Sequence, residues 1–234
     1  MEKDSYLVEK DLIHFRRATK EDNLSQIADL IYDTDPYIYP YWFDNNKNEC
    51  KDFFKKTILE EGFLFNYNNL YIAHDLTTNE IVGVICAIDK SVNLKYDYQS
   101  LSNVNNRYKK VVEKYINPIL EEVEGFDKYT IYIPNVCINQ ELRGKRIGTN
   151  LLGYFISQME KAGYNQFALD CLLHNLPAKN LYHSLGFKEM TLFNGFSGDD
   201  RKIDVVSFFR KKGNYMPEEY TKWKNILKVG INLR

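Results

Sequence analysis

The sequence has few of the residues that indicate a metal-binding or disulfide-bonded protein. Its four cysteines are Cys50, Cys86, Cys137 and Cys171, and no two of them have C-x-x-C spacing. The four histidines are scattered, without the spacing of metal ligands. We therefore predict four free thiols, a reducing compartment and no bound metal.

The sequence also lacks a strong net charge and any long apolar run. It has 31 basic and 32 acidic residues among 234, so no basic surface for nucleic acid or an anionic membrane is expected. No apolar stretch approaches the roughly 20 residues of a membrane-spanning helix. The charged start, Met1 to Asp4, does not resemble a signal peptide. We expect a cytoplasmic protein that binds neither nucleic acid nor a membrane.

What the chain does contain is an apolar, β-branched run that ends in a basic turn, after which a helical pattern begins. The run ends at Ile138, and Gly144 and Gly148 lie in the turn and in the first helical residues. The N–H groups of a first helical turn have no intrahelical acceptor, and the helix dipole favours an anion there. The glycines allow the backbone to come close to a phosphate. Three side chains add positive charge: Arg143, Lys145 and Arg146.

This turn does not have the spacing of better-known phosphate loops. A Walker loop needs a lysine directly before its final Ser or Thr, whereas Gly148 precedes Thr149, so nucleotide hydrolysis is not expected. The three glycines of a dinucleotide fingerprint are also missing. Taken alone, the segment is equally typical of an ordinary strand–turn–helix with a solvated basic turn.

A second segment has the pattern of a short capped helix. Asn175 is a good N-cap, Pro177 suits an early helical position, and Gly186 suits a helix end. Asn175 and Tyr182 are seven residues apart and share a helix face. By itself, this pattern would make Tyr182 a core residue more often than a catalytic one.

Together, the two segments resemble the GNAT superfamily of acetyl-CoA-dependent N-acetyltransferases. The first resembles the pyrophosphate loop Q/R-x-x-G-x-G/A, except that Arg146 occupies the position of the first loop glycine. The resemblance covers about Ile13 to Lys211. The second segment resembles N-x-x-A-x-x-L-Y-x-x-x-G-F, matched at Asn175, Ala178, Leu181, Tyr182, Gly186 and Phe187.

The resemblance implies an α/β (α+β) fold with a mixed, mostly antiparallel central sheet of about seven strands flanked by helices. We expect residues 1–234 to form a single GNAT-like domain, with a helical insertion at about 91–125 and a C-terminal extension at 212–234. Tyr129 to Ile138 is predicted as the central strand. Pro134 cannot donate a ladder hydrogen bond, so a bulge or splay is expected near it.

Four further local predictions follow from capping and proline positions. Thr19, followed by Asp22, is predicted to cap an amphipathic helix. The prolines in Asp33 to Phe43 predict an irregular, aromatic loop. A second helix is expected from Lys47 to Glu60. A long helix from Asn105 to Val123 is expected to kink or break at Pro118.

The resemblance implies transfer of an acetyl group from acetyl-CoA to a primary amine of a small molecule or peptide, by direct transfer and without a metal. Main-chain groups of the central strand would pair with the pantetheine arm. The cofactor-binding residues it implies are Val136, Cys137, Ile138, Arg143, Gly144, Lys145, Arg146, Ile147, Gly148, Thr149, Asn175, Ala178, Lys179 and Tyr182.

By resemblance, Tyr182 is the general acid that protonates the departing thiolate. The general base stays open between Glu141, Asp170, His174 and a relay water. For each of the three residues, a structural role is the favoured interpretation: a solvated turn charge for Glu141, a strand-edge carboxylate for Asp170 and a loop residue for His174.

The acceptor site is expected in the aromatic loop, where carboxylates and aromatic rings suit an ammonium group. The residues implied are Asp35, Tyr37, Tyr39 and Trp42. A loop that only plugs the edge of the sheet is the alternative. A non-catalytic acyl-CoA sensor or interaction module is the alternative function, and we leave a homodimer open.

Overall fold

The core of the structure is one seven-stranded sheet, and the computed structural model describes residues 12–35, 38–90, 106–196 and 202–213. The strand order is β1-β2-β3-β4-β5-β7-β6, and only β4 and β5 are parallel. This mixed, mostly antiparallel sheet confirms the predicted fold class. The strands are β1 Ile13–Arg17, β2 Leu70–Asp75, β3 Glu80–Ile88, β4 Thr130–Ile138, β5 Gln166–Leu172, β6 Lys188–Phe196 and β7 Lys202–Lys211.

Helices cover both faces of this sheet. Face A carries α1 to α5, and face B carries α6 and α7, with a separate apolar cluster under each group. The side chains of successive strand residues point alternately into the two clusters. The helices are α1 Leu24–Tyr32, α2 Tyr39–Trp42, α3 Lys47–Leu59, α4 Asn106–Val111, α5 Asn117–Glu124, α6 Ile147–Lys161 and α7 Leu176–Ser184.

Helix α6 shows how the spacing of apolar residues in the sequence leads to packing against the sheet. Its apolar residues recur at helical spacing, so they form one stripe that faces the sheet. Each fully buried large side chain in such a stripe contributes roughly 1.5–3 kcal/mol. The predicted stripe is buried as expected: Leu151, Leu152, Phe155, Ile156 and Met159.

Strands β4 and β5 part after a short parallel contact. They pair only from Thr130↔Gln166 to Tyr132↔Ala168, whereas β5 stays paired with β7 out to Leu172. The β3–β4 register shifts next to Pro134, which has no N–H to donate to the ladder. The predicted splay is therefore confirmed, and it leaves a gap between the outer halves of β4 and β5.

The predicted cap of α1 was wrong by four residues. Asn23, not Thr19, caps the helix, and its side-chain oxygen accepts from the N–H groups of Ser25 and Gln26. Asp22 instead accepts from the N–H and hydroxyl of Thr19 and pairs with Arg16. The acidic residue therefore stabilises the turn before the helix rather than the helix itself.

The prediction that prolines exclude a helix from the aromatic loop was also wrong. Tyr39–Trp42 forms one short helix, and Pro40 lies in its first turn. Backbone N–H groups in the first turn of a helix have no intrahelical acceptor. Proline, which has no N–H, therefore costs no helical hydrogen bond at this position. Tyr37, one of the predicted acceptor residues, lies outside the described residues.

The insertion contains a helical segment that widens before Pro118. A π-helical turn at Val112–Ile116 joins α4 to α5. Pro118, which has no N–H to donate to a helical hydrogen bond, lies just after this turn, in the first turn of α5. The predicted helix, Asn105 to Val123, is thus present as α4, the π turn and α5, which together extend from Asn106 to Glu124. Residues 91–105 of the insertion, and 214–234 of the C-terminal extension, lie outside the described part.

Within the described ranges, no helix is both long enough and apolar enough to cross a membrane.

Candidate functional site

The turn between β4 and α6 places two residues in the left-handed backbone region. Gly144 has φ 82°, and Arg146 has φ 62° and ψ 9° directly before the helix. The Arg143 Nε donates to the Ile138 carbonyl at 3.1 Å, which folds the start of the turn back onto the end of β4. The turn thus has the sharp shape that glycine usually provides, although one of its two left-handed positions is an arginine.

Helix α6 has no side-chain cap, in contrast to three other helices. Asn23, Asn46 and Asn175 cap α1, α3 and α7 with their side-chain oxygens, whereas Arg146 makes no such bond. The first intrahelical bond runs from Asn150 N–H to the Arg146 carbonyl, at 3.0 Å. The N–H groups of the three preceding residues therefore have no helical acceptor, which suits an anion. Those residues are Ile147, Gly148 and Thr149.

Gly148 lets this helix start lie directly against the sheet. A Cβ at Gly148 would lie 3.0 Å from Leu181 Cδ1 and 3.3 Å from Ile138 Cγ1. Both contacts are tighter than ordinary packing, so a larger residue would push α6 away from β4 and α7. The unsatisfied N–H groups consequently lie at the mouth of the β4–β5 gap.

The backbone of β4 presents hydrogen-bonding groups to the same gap. Asn139 N–H bonds to the Val82 carbonyl at 2.9 Å, so Asn139 turns its backbone groups towards β3. Because backbone groups alternate along a strand, Cys137 also faces β3, while Val136 and Ile138 face the gap. An extended ligand with amide groups can pair there as an added strand.

Tyr182 reaches the gap from face B. It is 6% exposed, and its ring packs at 5.3 Å from that of Phe208. Burial raises the pKa of Tyr182, and Cys171, Asp170 and Cys137 raise it further. These three neighbours lie on β4 and β5, the two strands that border the gap. The phenol therefore stays protonated at neutral pH, and its role as a proton donor stays a prediction.

Asp170 lies on β5, on the face A side of the gap. Its Oδ2 accepts from the Tyr132 hydroxyl at 2.9 Å, and its Oδ1 accepts from the Ser207 hydroxyl at 2.5 Å. Burial raises the pKa of Asp170 above its usual range, although both hydrogen bonds oppose this. The other two candidate bases, Glu141 and His174, are exposed on connecting segments. Asp170 alone of the three combines enclosure with a place beside the gap.

The predicted residues of α7 lie beside the gap but have partners within the protein. Asn175 Oδ1 accepts from the Ala178 N–H at 3.3 Å, as an N-cap does. Lys179 Nζ pairs with Glu189 Oε1 at 3.1 Å, and the hydrogen bond from Lys179 lowers the pKa of Glu189. His183 Nε2 lies 3.0 Å from the same oxygen. Contact of Asn175, Ala178 and Lys179 with a cofactor stays a prediction.

The predicted acceptor residues hold the α1–α2 connection in place. Asp35 Oδ1 accepts from the Ile38 N–H at 2.9 Å. Tyr39 is 6% exposed, and its hydroxyl accepts from Asn135 Nδ2 at 2.7 Å. Trp42 is also buried and packs edge-on against Tyr39, with centroids 4.8 Å apart. Their role in binding the acceptor stays a prediction.

Asn135 is a residue of this site that the sequence did not identify. It lies on β4 beside Pro134, and its Nδ2 donates to Thr34 Oγ1 at 2.6 Å as well as to Tyr39. It thereby ties the α1–α2 connection to the strand that borders the gap. Its Oδ1 is buried and has no partner among the described residues. No sequence pattern links a strand asparagine to residues about a hundred positions away.

The cysteines are free, as predicted, and three of them are buried. Burial raises the pKa of Cys137 to about 11 and that of Cys171 to about 12, so neither is a thiolate at neutral pH. In the described ranges, no group of three or more His, Cys, Asp or Glu side chains is arranged to hold a metal ion.

Solved structures of acetyltransferases have this fold. The sequence profile of the acetyltransferase (GNAT) family matches residues 27–187. The chain therefore belongs to the GNAT family of N-acetyltransferases, whose members use acetyl-CoA. No curated protein sequence matches the chain significantly.

Solved structures share this fold at low sequence identity. One described as an acetyltransferase has a TM-score of 0.58 and 20% identity, over 85% of this chain and 98% of that one. An N-acetyltransferase from Staphylococcus aureus has a TM-score of 0.57 and 20% identity, over 84% and 99%. A Salmonella typhimurium structure with its cofactor acetyl-CoA has a TM-score of 0.51 and 14% identity, over 88% and 98%.

Proposed function

We propose that this protein transfers an acetyl group directly from acetyl-CoA to a primary amine of a small molecule or peptide. The observation that carries the proposal is the β4–β5 gap, with the uncapped start of α6 at its mouth and the buried Tyr182 on α7. Acetyl-CoA supplies an acyl group already activated as a thioester. The protein must then bind it, orient it and move two protons.

In this proposal, the turn and the first turn of α6 bind the pyrophosphate through the backbone from Arg143 to Thr149. Gly144, Lys145 and Ile147 belong to this stretch, and the exposed side chains of Arg143 and Arg146 add positive charge. Val136, Cys137 and Ile138 form the edge that pairs with the pantetheine arm. Asn175, Ala178 and Lys179 flank the cofactor from α7.

Tyr182 is the general acid in this mechanism. Its raised pKa keeps the phenol protonated, so it can donate to the sulfur that leaves as the new amide bond forms. A backbone N–H of β4 that faces the gap, near Ile138, polarises the carbonyl oxygen.

We assign the general base to Asp170. The acceptor arrives as an ammonium ion, and one proton must pass to the base before the nitrogen has a lone pair for attack. The nitrogen loses a second proton as the amide forms, which balances the proton that Tyr182 gives to the departing thiolate. Asp170 lies on the face opposite α6, and its two oxygens are oriented by Tyr132 and Ser207. A carboxyl whose pKa is raised by burial holds such a proton more readily than an exposed carboxylate does.

Titration calorimetry with acetyl-CoA, and with desulfo-CoA and ATP as controls, tests this function. We expect micromolar binding of acetyl-CoA and much weaker binding of ATP. A panel of primary amines is then screened by release of the free thiol. Tight binding without turnover on any amine would support the alternative, a non-catalytic acyl-CoA sensor. No binding of acetyl-CoA would contradict both functions.

We further propose that residues 1–234 form one domain, in which the 91–125 insertion and the 212–234 extension are additions to the GNAT core.

A further inference from the structure

A cavity of about 310 Å³ lies between α2 and α4, beyond the gap itself. Its walls come from the aromatic segment that follows α1 and from the insertion helices. Three of the lining side chains are cationic and one is a carboxylate, so cations outnumber carboxylates in the lining. The lining residues are Tyr41, Trp42, Asp44, Arg107, Lys110, Val111, Lys114 and Tyr115.

Aromatic rings form the other part of this wall. Trp42 and Tyr115 stack with centroids 5.0 Å apart and an angle of 10° between their planes. Lys114 Nζ lies 5.1 Å from the centroid of Tyr115 and 5.9 Å from that of Tyr41. These cation–π contacts hold the ammonium group against the aromatic part of the wall.

Two features of the wall favour a negatively charged ligand. Lys110 is exposed and has no ion-pair partner among the described residues, whereas the charge of Arg107 is offset by salt bridges to Asp44 and Glu49 at 2.6 Å and 3.2 Å. In addition, the Trp42 Nε1 is buried and has no acceptor among the described residues. An N–H donor without a partner in a cationic wall is suited to an oxygen anion.

The cavity is connected by direct contacts to the acceptor side of the gap. Trp42 packs against Tyr39 at 4.8 Å, and Tyr39 bonds to Asn135 on β4, beside the splay. The wall of the cavity is thus linked through Trp42 and Tyr39 to the strand that borders the gap. This is the side on which the proposed base, Asp170, lies.

We propose that this cavity binds an anionic group, a carboxylate or a phosphate, of the acceptor whose amine is acetylated in the gap. The inference rests on the proposed function and narrows its substrate class to amines that carry a negative charge at a distance from the nitrogen. The 91–125 insertion then determines acceptor specificity, because it supplies all three cations, two from α4 and Lys114 from the π-helical turn.

The experiment compares ω-amino carboxylates and ω-aminoalkyl phosphates with matching ω-amino carboxamides, across a series of chain lengths. Thiol release from acetyl-CoA by the full-length protein is the readout. We expect kcat/KM for the best anionic acceptor to exceed that of its carboxamide about tenfold or more. Lys110→Gln should reduce this ratio of kcat/KM values about fivefold, mainly by raising KM for the anionic acceptor, because one exposed cation is lost.

Lys109→Gln is the matched control, since Lys109 is the neighbouring exposed lysine on α4 and does not line the cavity. Direct binding is measured with a Trp223→Phe variant, in which Trp42 is the only remaining tryptophan. Glutarate should change its fluorescence saturably and glutaramide should not, and Lys110→Gln should weaken the glutarate response severalfold.

The outcomes separate this inference from the proposed function. Acetylation of ω-amino carboxamides and ω-amino carboxylates at equal rates would overturn the inference. The proposed acetyltransferase function would still stand. Glutarate binding without any preference among acceptors would also overturn it, because the cavity would then be an effector site. Absence of thiol release with every amine, despite acetyl-CoA binding, would instead contradict the proposed function.

Discussion

The hydroxyl of Tyr132 donates to the carboxylate of Asp170, at 2.9 Å, across the point where β4 and β5 separate. Tyr132 makes the last ladder pair of the two strands, with Ala168, and Asp170 lies two residues further along β5. The bond therefore fixes the carboxylate at the base of the gap. Several properties of the proposed site depend on this position.

Replacing Asp170 tests its role as the base. We expect Asp170→Asn to lower kcat/KM by about two orders of magnitude or more at neutral pH, because general-base catalysis contributes on this scale. Unchanged kcat/KM would exclude Asp170. Circular dichroism and the denaturation midpoint of the variant show whether the fold is retained.

The pH profile tests the hydrogen bonds to the same carboxylate. The base must be ionised, so kcat/KM falls as the pH falls through the pKa of Asp170, which burial raises above its usual range. The Tyr132 hydroxyl stabilises the ionised form, so Tyr132→Phe should move this acidic limb to higher pH. Tyr129→Phe, on an exposed side chain just before β4, is the control and should leave the limb in place. A limb that stays unmoved in Tyr132→Phe would argue for another base.

Tyr182→Phe tests the general acid. It should lower kcat about tenfold or more, as expected when a proton donor is lost, while the Kd of acetyl-CoA changes little. Because the pKa of Tyr182 is raised, its ionisation does not produce an alkaline limb near neutral pH. Tyr71→Phe is a matched control, since Tyr71 is also 6% exposed on face B and its hydroxyl accepts from Arg17. Equal kcat values for the two variants would rule out the assignment.

Two glycines of α6 provide a test of the close contact at its start. Alanine is favoured over glycine within helices by about 0.8–1.0 kcal/mol. At Gly153 the new Cβ meets only Leu185 Cδ2 at 3.8 Å, so Gly153→Ala should raise the free energy of unfolding. At Gly148 the contacts of 3.0 and 3.3 Å should cancel this gain and weaken acetyl-CoA binding. Denaturant unfolding and calorimetry measure both effects, and equal stabilisation by the two variants would contradict the close packing.

Arg146 combines a left-handed backbone with a charge near the proposed pyrophosphate site. A non-glycine residue in this conformation costs roughly 1–2 kcal/mol, so Arg146→Gly should raise the free energy of unfolding by about 1 kcal/mol. Arg146→Ala removes the charge but keeps the backbone cost. We expect both variants to reduce the salt dependence of acetyl-CoA binding, while only the glycine variant is stabilised. Similar stability of the two variants would show that the backbone at this position is not strained.

Local patterns in the sequence predicted much of the fold. The apolar stripe of α6, the Asn175 cap of α7 and the splay near Pro134 depend on residues close together in the chain, and each is present. The predictions that failed were also local. The backbone N–H of Thr19 donates to Asp22 in a turn before the helix, so Thr19 is not the cap. In the proline-containing loop, Pro40 occupies the first turn of a short helix, where a missing N–H is tolerated.

The sequence by itself determined the chemistry of the turn before α6 and the family to which the chain belongs, because both are encoded in contiguous residues. Only the tertiary structure distinguished Asp170 from Glu141 and His174. Its two hydrogen-bond donors lie 38 and 37 residues away, on other strands, and they meet only when the sheet forms. The cationic cavity likewise exists only where the insertion packs against α2, since neither segment contains all of its walls.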